Sequence, residues 1–146
     1  MASDEDLGPL LSGRLHLLLK RAQLELAHLH EELLEPLGIS DHELSLLLFL
    51  DTREPESQQQ AARRLGVDRT TMVGLIDALE GKGLVARRPD PADRRRNVVE
   101  LTPAGRKTLR AATRASDQAE RRLLGALDDA EAAQLRGLLG RIAAPR

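Results

Sequence analysis

The apolar positions of this chain fall mostly at helical spacing. Leu7, Leu11, Leu15, Leu18, Ala22, Leu26, Leu29 and Leu33 return every three or four residues, which predicts a long helix over residues 5–35. Leu10, Leu17, Leu19, Leu24 and Leu34 widen that stripe well past one face, more apolar surface than one neighbour covers. Pro36 and Gly38 end the helix. Ser40 followed by Glu43 is a capping box that opens a second helix. Leu44, Leu46, Leu47, Leu48, Phe49 and Leu50 predict that this helix is buried nearly all round. Thr52 to Glu56 read as a loop.

The pattern tightens between Ser57 and Thr102. Ser57 and Gln60 form another capping box, Ala61, Ala62 and Leu65 face inward, and Gly66 stands where a left-handed helix end is wanted. Val67 fills the turn. Asp68 caps the next helix, whose buried stripe is Met72, Leu75, Ile76 and Leu79. Gly81 and Gly83 close it. Leu84 to Ala86 read as a short strand broken by Pro89 and Pro91, Asp93 to Arg96 as a charged tip, and Asn97 to Leu101 as a returning strand with Val99 and Leu101 on one face. Thr102 caps a long helix that begins at Pro103 and runs to about Leu127, along Leu109, Ala112, Ala115, Ala119, Leu123 and Leu127. Asp128 and Glu131 open a last helix, with Ala132, Leu135, Leu138, Leu139 and Ile142 as its apolar positions.

Two short helices joined by a tight turn, then a hairpin with an arginine-rich tip, make a winged helix-turn-helix, a device for holding one helix in a DNA major groove. The expected fold class is mainly α with a small β-wing: a winged helix-turn-helix flanked by N- and C-terminal dimerisation helices. The expected organisation is a single domain over 1–146, with a DNA-binding module at 40–102 and dimerisation helices at 1–39 and 103–146. The terminal helices carry larger apolar faces than the small central module covers, and a two-fold dimer would bury them.

Charge sharpens this reading. The net charge is −1, yet Ser57 to Arg110 holds 12 of the 22 Lys/Arg and only 6 of the 23 Asp/Glu, a basic module inside an acidic scaffold. With 41% hydrophobic residues the core is well supplied, and it is aliphatic, because Phe49 is the one aromatic residue. The absence of cysteine excludes disulfides and thiol chemistry. No apolar run approaches a membrane span and the acidic start lacks a signal region, so a soluble cytoplasmic protein is expected. No phosphate loop, Gly-x-Ser-x-Gly or paired-carboxylate signature is present, and neither an enzyme nor a cofactor is expected. His16, His28, His30 and His42 lack the spacing of a metal-ligand pair, since His28 and His30 point to different sides of one helix.

The stretch from Ser57 to Thr102 resembles the winged helix-turn-helix of the MarR (multiple antibiotic resistance regulator) family. Asp93, Arg95 and the strand ending Leu101-Thr102 match the family's D-x-R…L-T wing, and Leu79-Glu80-Gly81-Lys82-Gly83-Leu84 is typical of it. The resemblance implies a triangular homodimer with two reader lobes, bound to a pseudo-palindromic operator, usually as a repressor. It also implies release by a small anionic or phenolic effector lodged between the dimer helices and the reader, and a minor-groove role for Arg95 with Asp93 orienting it.

The candidate DNA-binding residues are Ser57, Gln58, Arg69, Thr70, Thr71, Val73, Gly74, Arg87, Asp93, Arg94, Arg95 and Arg96. Many relatives carry a polar or basic residue where Val73 and Gly74 stand, so readout here shifts toward the wing, DNA shape and apolar contacts. His16, Lys20 and Phe49 are the candidate effector residues, although the lack of Trp and Tyr argues against a stacking pocket. The expected partners are double-stranded DNA, a second copy of the chain and a small organic anion or phenol. The alternative is a winged-helix protein-interaction module without a DNA target.

Overall fold

The computed structural model describes residues 13–51 and 56–144, with the backbone alone for 56–61. Its elements are α1 (Leu15–Leu34), a 3-10 turn (Glu35–Leu37), α2 (Asp41–Asp51), β1 (Glu56–Ser57), α3 (Gln58–Leu65), α4 (Arg69–Gly81), β2 (Val85–Pro89), β3 (Asn97–Leu101), α5 (Pro103–Leu123) and α6 (Asp129–Ala143). They fall into two compact units. One is His30–Ser116; the other comprises, among the described residues, 13–29 and 117–144.

The His30–Ser116 unit holds an aliphatic core. Leu34, Leu46, Leu47, Met72, Ile76, Leu79, Val85 and Val99 are fully buried within it. The capping box that opens α2 is present: the Glu43 N–H donates to Ser40 Oγ at 3.1 Å, and the Ser40 N–H donates to Glu43 Oε1 at 3.0 Å. Burial of α2 all round is not observed. Leu44, Leu46, Leu47 and Leu50 are buried, but Leu48 is 42% exposed, on a strip it shares with Ser45. The helix packs against α3, α4 and β3, which cover one side of an 11-residue cylinder and leave the other open.

The sheet is antiparallel in the order β1-β3-β2. Val85 pairs with Leu101 and Pro89 with Asn97, while Glu56 and Ser57 pair with Val99 and Val98. Two expectations are corrected here. Glu56 belongs to a strand rather than a loop; two residues are too few to show an alternation. The β2 strand also runs on through Arg87 and Arg88 to Pro89. Proline is tolerated there because β2 lies at the sheet edge and Pro89 is its last residue.

In the other unit, α1 begins at Leu15, where the Arg14 carbonyl accepts the N–H groups of Leu17 and Leu18. Gly13 sits in a turn, so the helix expected over 5–35 does not run through 13–14; glycine is a poor helix residue. Residues 5–12 of that expectation lie outside the described residues. The α5 helix ends at Leu123 instead of Leu127, in a turn around Gly125 closed by Gly125 N–H to Arg122 O and Leu127 N–H to Leu124 O. The Asp128–Glu131 capping box then starts α6. Among the described residues of this unit only Leu29 and Ala119 are buried hydrophobics. Leu15, Leu18, Leu19, Leu24, Leu127, Leu135, Leu138, Leu139 and Ile142 are 36–77% exposed.

Candidate nucleic-acid interface

The turn between α3 and α4 is built from local chemistry. Gly66 adopts φ +67°, a left-handed backbone that glycine enters without steric cost, and this lets the Val67 N–H reach back to the Ala62 carbonyl at 3.2 Å. Asp68 then caps α4. Its carboxylate accepts the Thr71 N–H at 2.7 Å and the Thr71 hydroxyl at 2.9 Å. These bonds, the backbone one foremost, hold the Asp68 carboxyl below the usual carboxylate range. Met72, Ile76 and Leu79 anchor α4 in the core. Its far end is a Schellman closure: Leu84 N–H to Leu79 O and Gly83 N–H to Glu80 O, with Gly83 at φ +74°.

Anchoring on that stripe leaves the first turn of α4 open. Arg69, Thr70, Thr71 and Gly74 are exposed, and Val73 is half-buried. The Thr71 hydroxyl proton is engaged by Asp68, so its oxygen and methyl remain for an outside partner. A Cβ on Gly74 would meet nothing within 4 Å, so packing does not require glycine there.

The wing tip is ordered by two aspartates. The Asp90 N–H donates to Arg96 O at 2.8 Å and the Arg96 N–H to Asp93 O at 3.0 Å. Asp93 Oδ1 accepts the Arg95 N–H at 3.0 Å, and Asp90 Oδ1 accepts the Ala92 N–H at 2.9 Å. Asp93 thus holds Arg95 through its backbone. The guanidinium groups of Arg94, Arg95 and Arg96 are exposed, and among the described residues none joins an ion pair.

Two other wing arginines are engaged internally. Arg88 pairs with Glu100 across the hairpin. Arg87, with a side chain only 19% exposed, reaches back to α4: Nη2 donates to Asp77 Oδ1 at 2.6 Å, Nη1 donates to Glu80 Oε1 at 2.7 Å, and its backbone N–H points to Glu80 Oε2 at 3.3 Å. Burial alone would lower the guanidinium pKa; the bonds to Asp77 and Glu80, and their charges, outweigh it and hold the pKa above its ordinary value. Sequence reasoning grouped Arg87 with the DNA-facing cations and passed over Asp77 and Glu80. Their one-turn spacing at exposed positions of α4 was the available signal. Lys82 was likewise read only as part of a motif. Its ammonium bonds Glu43 at 2.7 and 3.0 Å and the Gly38 carbonyl at 2.7 Å, tying the end of α4 to the start of α2.

The side chains of Ser57 and Gln58 lie outside the described ones. His16, Lys20 and Phe49 are not brought together within either unit. His16 and Lys20 are exposed on α1, and Phe49 packs half-buried against the His30–Ser116 core. An open, mainly apolar groove of about 630 Å³ lies within the other unit, lined by Leu18, Arg21, Ala22, Leu24, Glu25, Arg122 and Leu123, and includes none of the three. His30 Nε2 lies 3.0 Å from Ser116 Oγ. Among the described residues no three His, Asp or Glu side chains are grouped to hold a metal ion, and no helix is long and apolar enough to cross a membrane.

Comparison with known proteins agrees with this geometry. Residues 37–96 match the family model described as MarR family. Over 116 residues the chain is 31% identical to the HTH-type transcriptional repressor NicR of Pseudomonas putida, covering 80% of this chain and 73% of that one. The crystal structure of a transcriptional regulator (MarR family) from Rhodococcus sp. RHA1 superposes with a TM-score of 0.87 at 31% identity, covering 95% of this chain and 99% of that one. The repressor CouR, bound to a 23-mer DNA duplex, gives 0.86 at 33% identity, covering 98% and 99%. CouR from Rhodococcus jostii RHA1 bound to p-coumaroyl-CoA gives 0.80 at 32% identity, covering 92% and 95%.

Proposed function

This chain belongs to the MarR family of transcriptional regulators, and from that premise we propose how it meets DNA and what releases it. It is a DNA-binding regulator, and the reading best supported is a repressor that sits on a pseudo-palindromic operator as a homodimer. The first turn of α4, with Arg69, Thr70 and Thr71 at its open end and Val73 and Gly74 a turn in, enters the major groove. The wing lays Arg94, Arg95 and Arg96 along the neighbouring minor groove, where narrow A·T-rich DNA focuses negative potential. Ser57, which ends β1, and Gln58, which opens α3, are assigned to the flanking phosphates.

One observation carries this reading. Arg87 and Arg88 are neutralised by carboxylates, while Arg69 on the exposed start of α4 and the three arginines at the wing tip are paired with none among the described residues. A protein-only docking module has no comparable need for four uncompensated guanidinium groups; a polyanion does.

The division of labour follows: residues 40–102 read DNA, and 1–39 with 103–146 dimerise. The unit containing 117–144 buries Leu29 and Ala119 and leaves nine large hydrophobics exposed, too little core to stand without a second copy. A small organic anion is the effector class we favour, supported by the p-coumaroyl-CoA held by CouR. The work of the protein is equilibrium binding, with no catalytic step, in the cytoplasm. The deciding experiment selects genomic fragments that bind the protein and follows their affinity against salt. Specific binding whose affinity falls steeply with salt on a log–log plot is expected; binding no tighter to selected than to random DNA refutes the reading.

A further inference from the structure

From the Pro89–Asn97 pair outward to the tip the wing is a two-stranded ribbon. β1 pairs only with Val98 and Val99, and residues 91–97 are all exposed. An isolated two-stranded ribbon has little stability of its own, so the direction of the tip is decided at the root. At that root stands Arg87, opposite Val99 in the register, with its guanidinium fork closed on two carboxylates one turn apart on α4. The pairing is two-pronged, the donor is four-fifths buried, and both carboxylates belong to the helix that carries Arg69, Thr70 and Thr71. A fork that grips two points of one helix fixes angle as well as distance. Asp77 and Glu80 also lie on the exposed side of that helix, where uncompensated carboxylates would repel phosphate.

We propose that Arg87 is a positioning residue that locks the wing to the recognition helix through Asp77 and Glu80, so that Arg95 reaches the minor groove in register with the major-groove contacts. The proposal rests on the assignment of α4 and the wing to DNA given above. It gives Arg87 no contact with DNA.

The test is a set of double-mutant comparisons on one selected operator. Arg95→Ala is made in the parent, in Arg87→Gln, and in the triple variant Arg87→Gln, Asp77→Asn, Glu80→Gln, which removes the clamp and leaves no unpaired carboxylate behind. In the parent, loss of Arg95 should weaken binding about tenfold for each half-site, and the costs below are per half-site too. In both clamp-less backgrounds it should cost less than about twofold, and the preference for A·T-rich flanks should vanish, because a wandering tip no longer reads groove width. Arg87→Lys, which keeps charge but loses the fork, should recover only part of that preference. Far-UV circular dichroism verifies that each variant is folded; should Arg87→Gln fail to fold, the triple variant and Arg87→Lys carry the comparison. If Arg95→Ala costs the same tenfold in the triple variant, the clamp does not position the wing and the proposal is overturned. If instead the triple variant binds as tightly and selectively as the parent, Arg87 served only to cancel charge, which also overturns it. If Arg95→Ala costs nothing in the parent, the wing assignment itself fails and the clamp falls with it.

Discussion

Gly105 offers the sharpest test of how the wing joins the rest of the chain. It lies buried in the first turn of α5, and a Cβ added there would sit 2.0 Å from the Leu84 carbonyl oxygen and 3.0 Å from its carbon, both backbone atoms. That is more than an ångström short of ordinary contact, and neither side can yield cheaply. Leu84 O accepts the Thr102 N–H at 3.1 Å, the Thr102 hydroxyl donates to Gly83 O at 2.6 Å, and the same hydroxyl accepts the Gly105 N–H at 3.0 Å. On helix propensity alone Gly105→Ala would stabilise by about 1 kcal/mol. Overpacking against backbone costs about 1–3 kcal/mol, and the hydrogen bonds stretched in relieving it add about 1 kcal/mol each. The net expectation is a loss of about 2–4 kcal/mol. Gly74→Ala is the control: nothing lies within 4 Å of its Cβ, so it should gain about 0.5–1 kcal/mol. Urea unfolding followed by circular dichroism at fixed protein concentration measures both; the chain has no Trp or Tyr for fluorescence. A Gly105→Ala variant as stable as the parent would refute the close approach of α5 to the wing root.

Further predictions concern the DNA contacts, the charge pairs and the assembly. Arg95→Ala should weaken operator binding by about 1–3 kcal/mol per half-site and flatten the salt slope by about one unit, whereas Thr71→Ala should leave the slope and relax discrimination at one symmetric pair of positions, read by titrating point-variant operators at several salt concentrations. Lys82→Met should destabilise by about 1–2 kcal/mol, because it strands Glu43, which is 7% exposed, and Lys82 is itself exposed enough for water to soften the loss; adding Glu43→Gln should recover part of it in the same urea assay. The Asp68 carboxyl is depressed on folding, so its contribution is present above the unfolded value near 3.8 and is lost as pH falls through the lower folded one; the urea midpoint of the parent should exceed that of Asp68→Asn at pH 7 and converge with it in acid. Sedimentation should give twice the 16.0 kDa chain mass, and Leu138→Asp with Ile142→Asp should shift it toward one.

What could be read from residue order was what depends on neighbours a few positions away. Ser40 with Glu43, Asp68, Thr102, and Asp128 with Glu131 all cap the helices expected of them, because a cap closes within one turn. Gly66 and Gly83 take positive φ for the same local reason. What escaped depends on partners far along the chain. β1 exists only because β3, some forty residues later, offers an edge to Glu56 and Ser57. Leu48 and the long α1 stripe look alike in sequence to residues that are buried; only the placement of neighbours separates Leu47 from Leu48. The end of α5 was misjudged because Leu127 continues the helical period while Gly125 stops the helix.

The arginines make the same point about function. Arg87, Arg88, Arg94, Arg95 and Arg96 sit within ten residues of one another, and composition treats them as one basic patch. The carboxylates on α4 and β3 divide them: Asp77, Glu80 and Glu100 take the two at the root, and the tip keeps three. This division has an energetic consequence. A long side chain ordered on binding costs about 0.5–1.5 kcal/mol, and a mobile ribbon would add the cost of ordering its backbone to that of three arginines at once. On the proposed reading, β1, the Arg87 fork and the Thr102–Gly83 bond hold the root in the free protein, so the backbone part of that cost would be met during folding and only the tip side chains would remain to be ordered on DNA. A hairpin bonded at its root and bare at its tip lets a chain of net charge −1 present a local field that suits a polyanion.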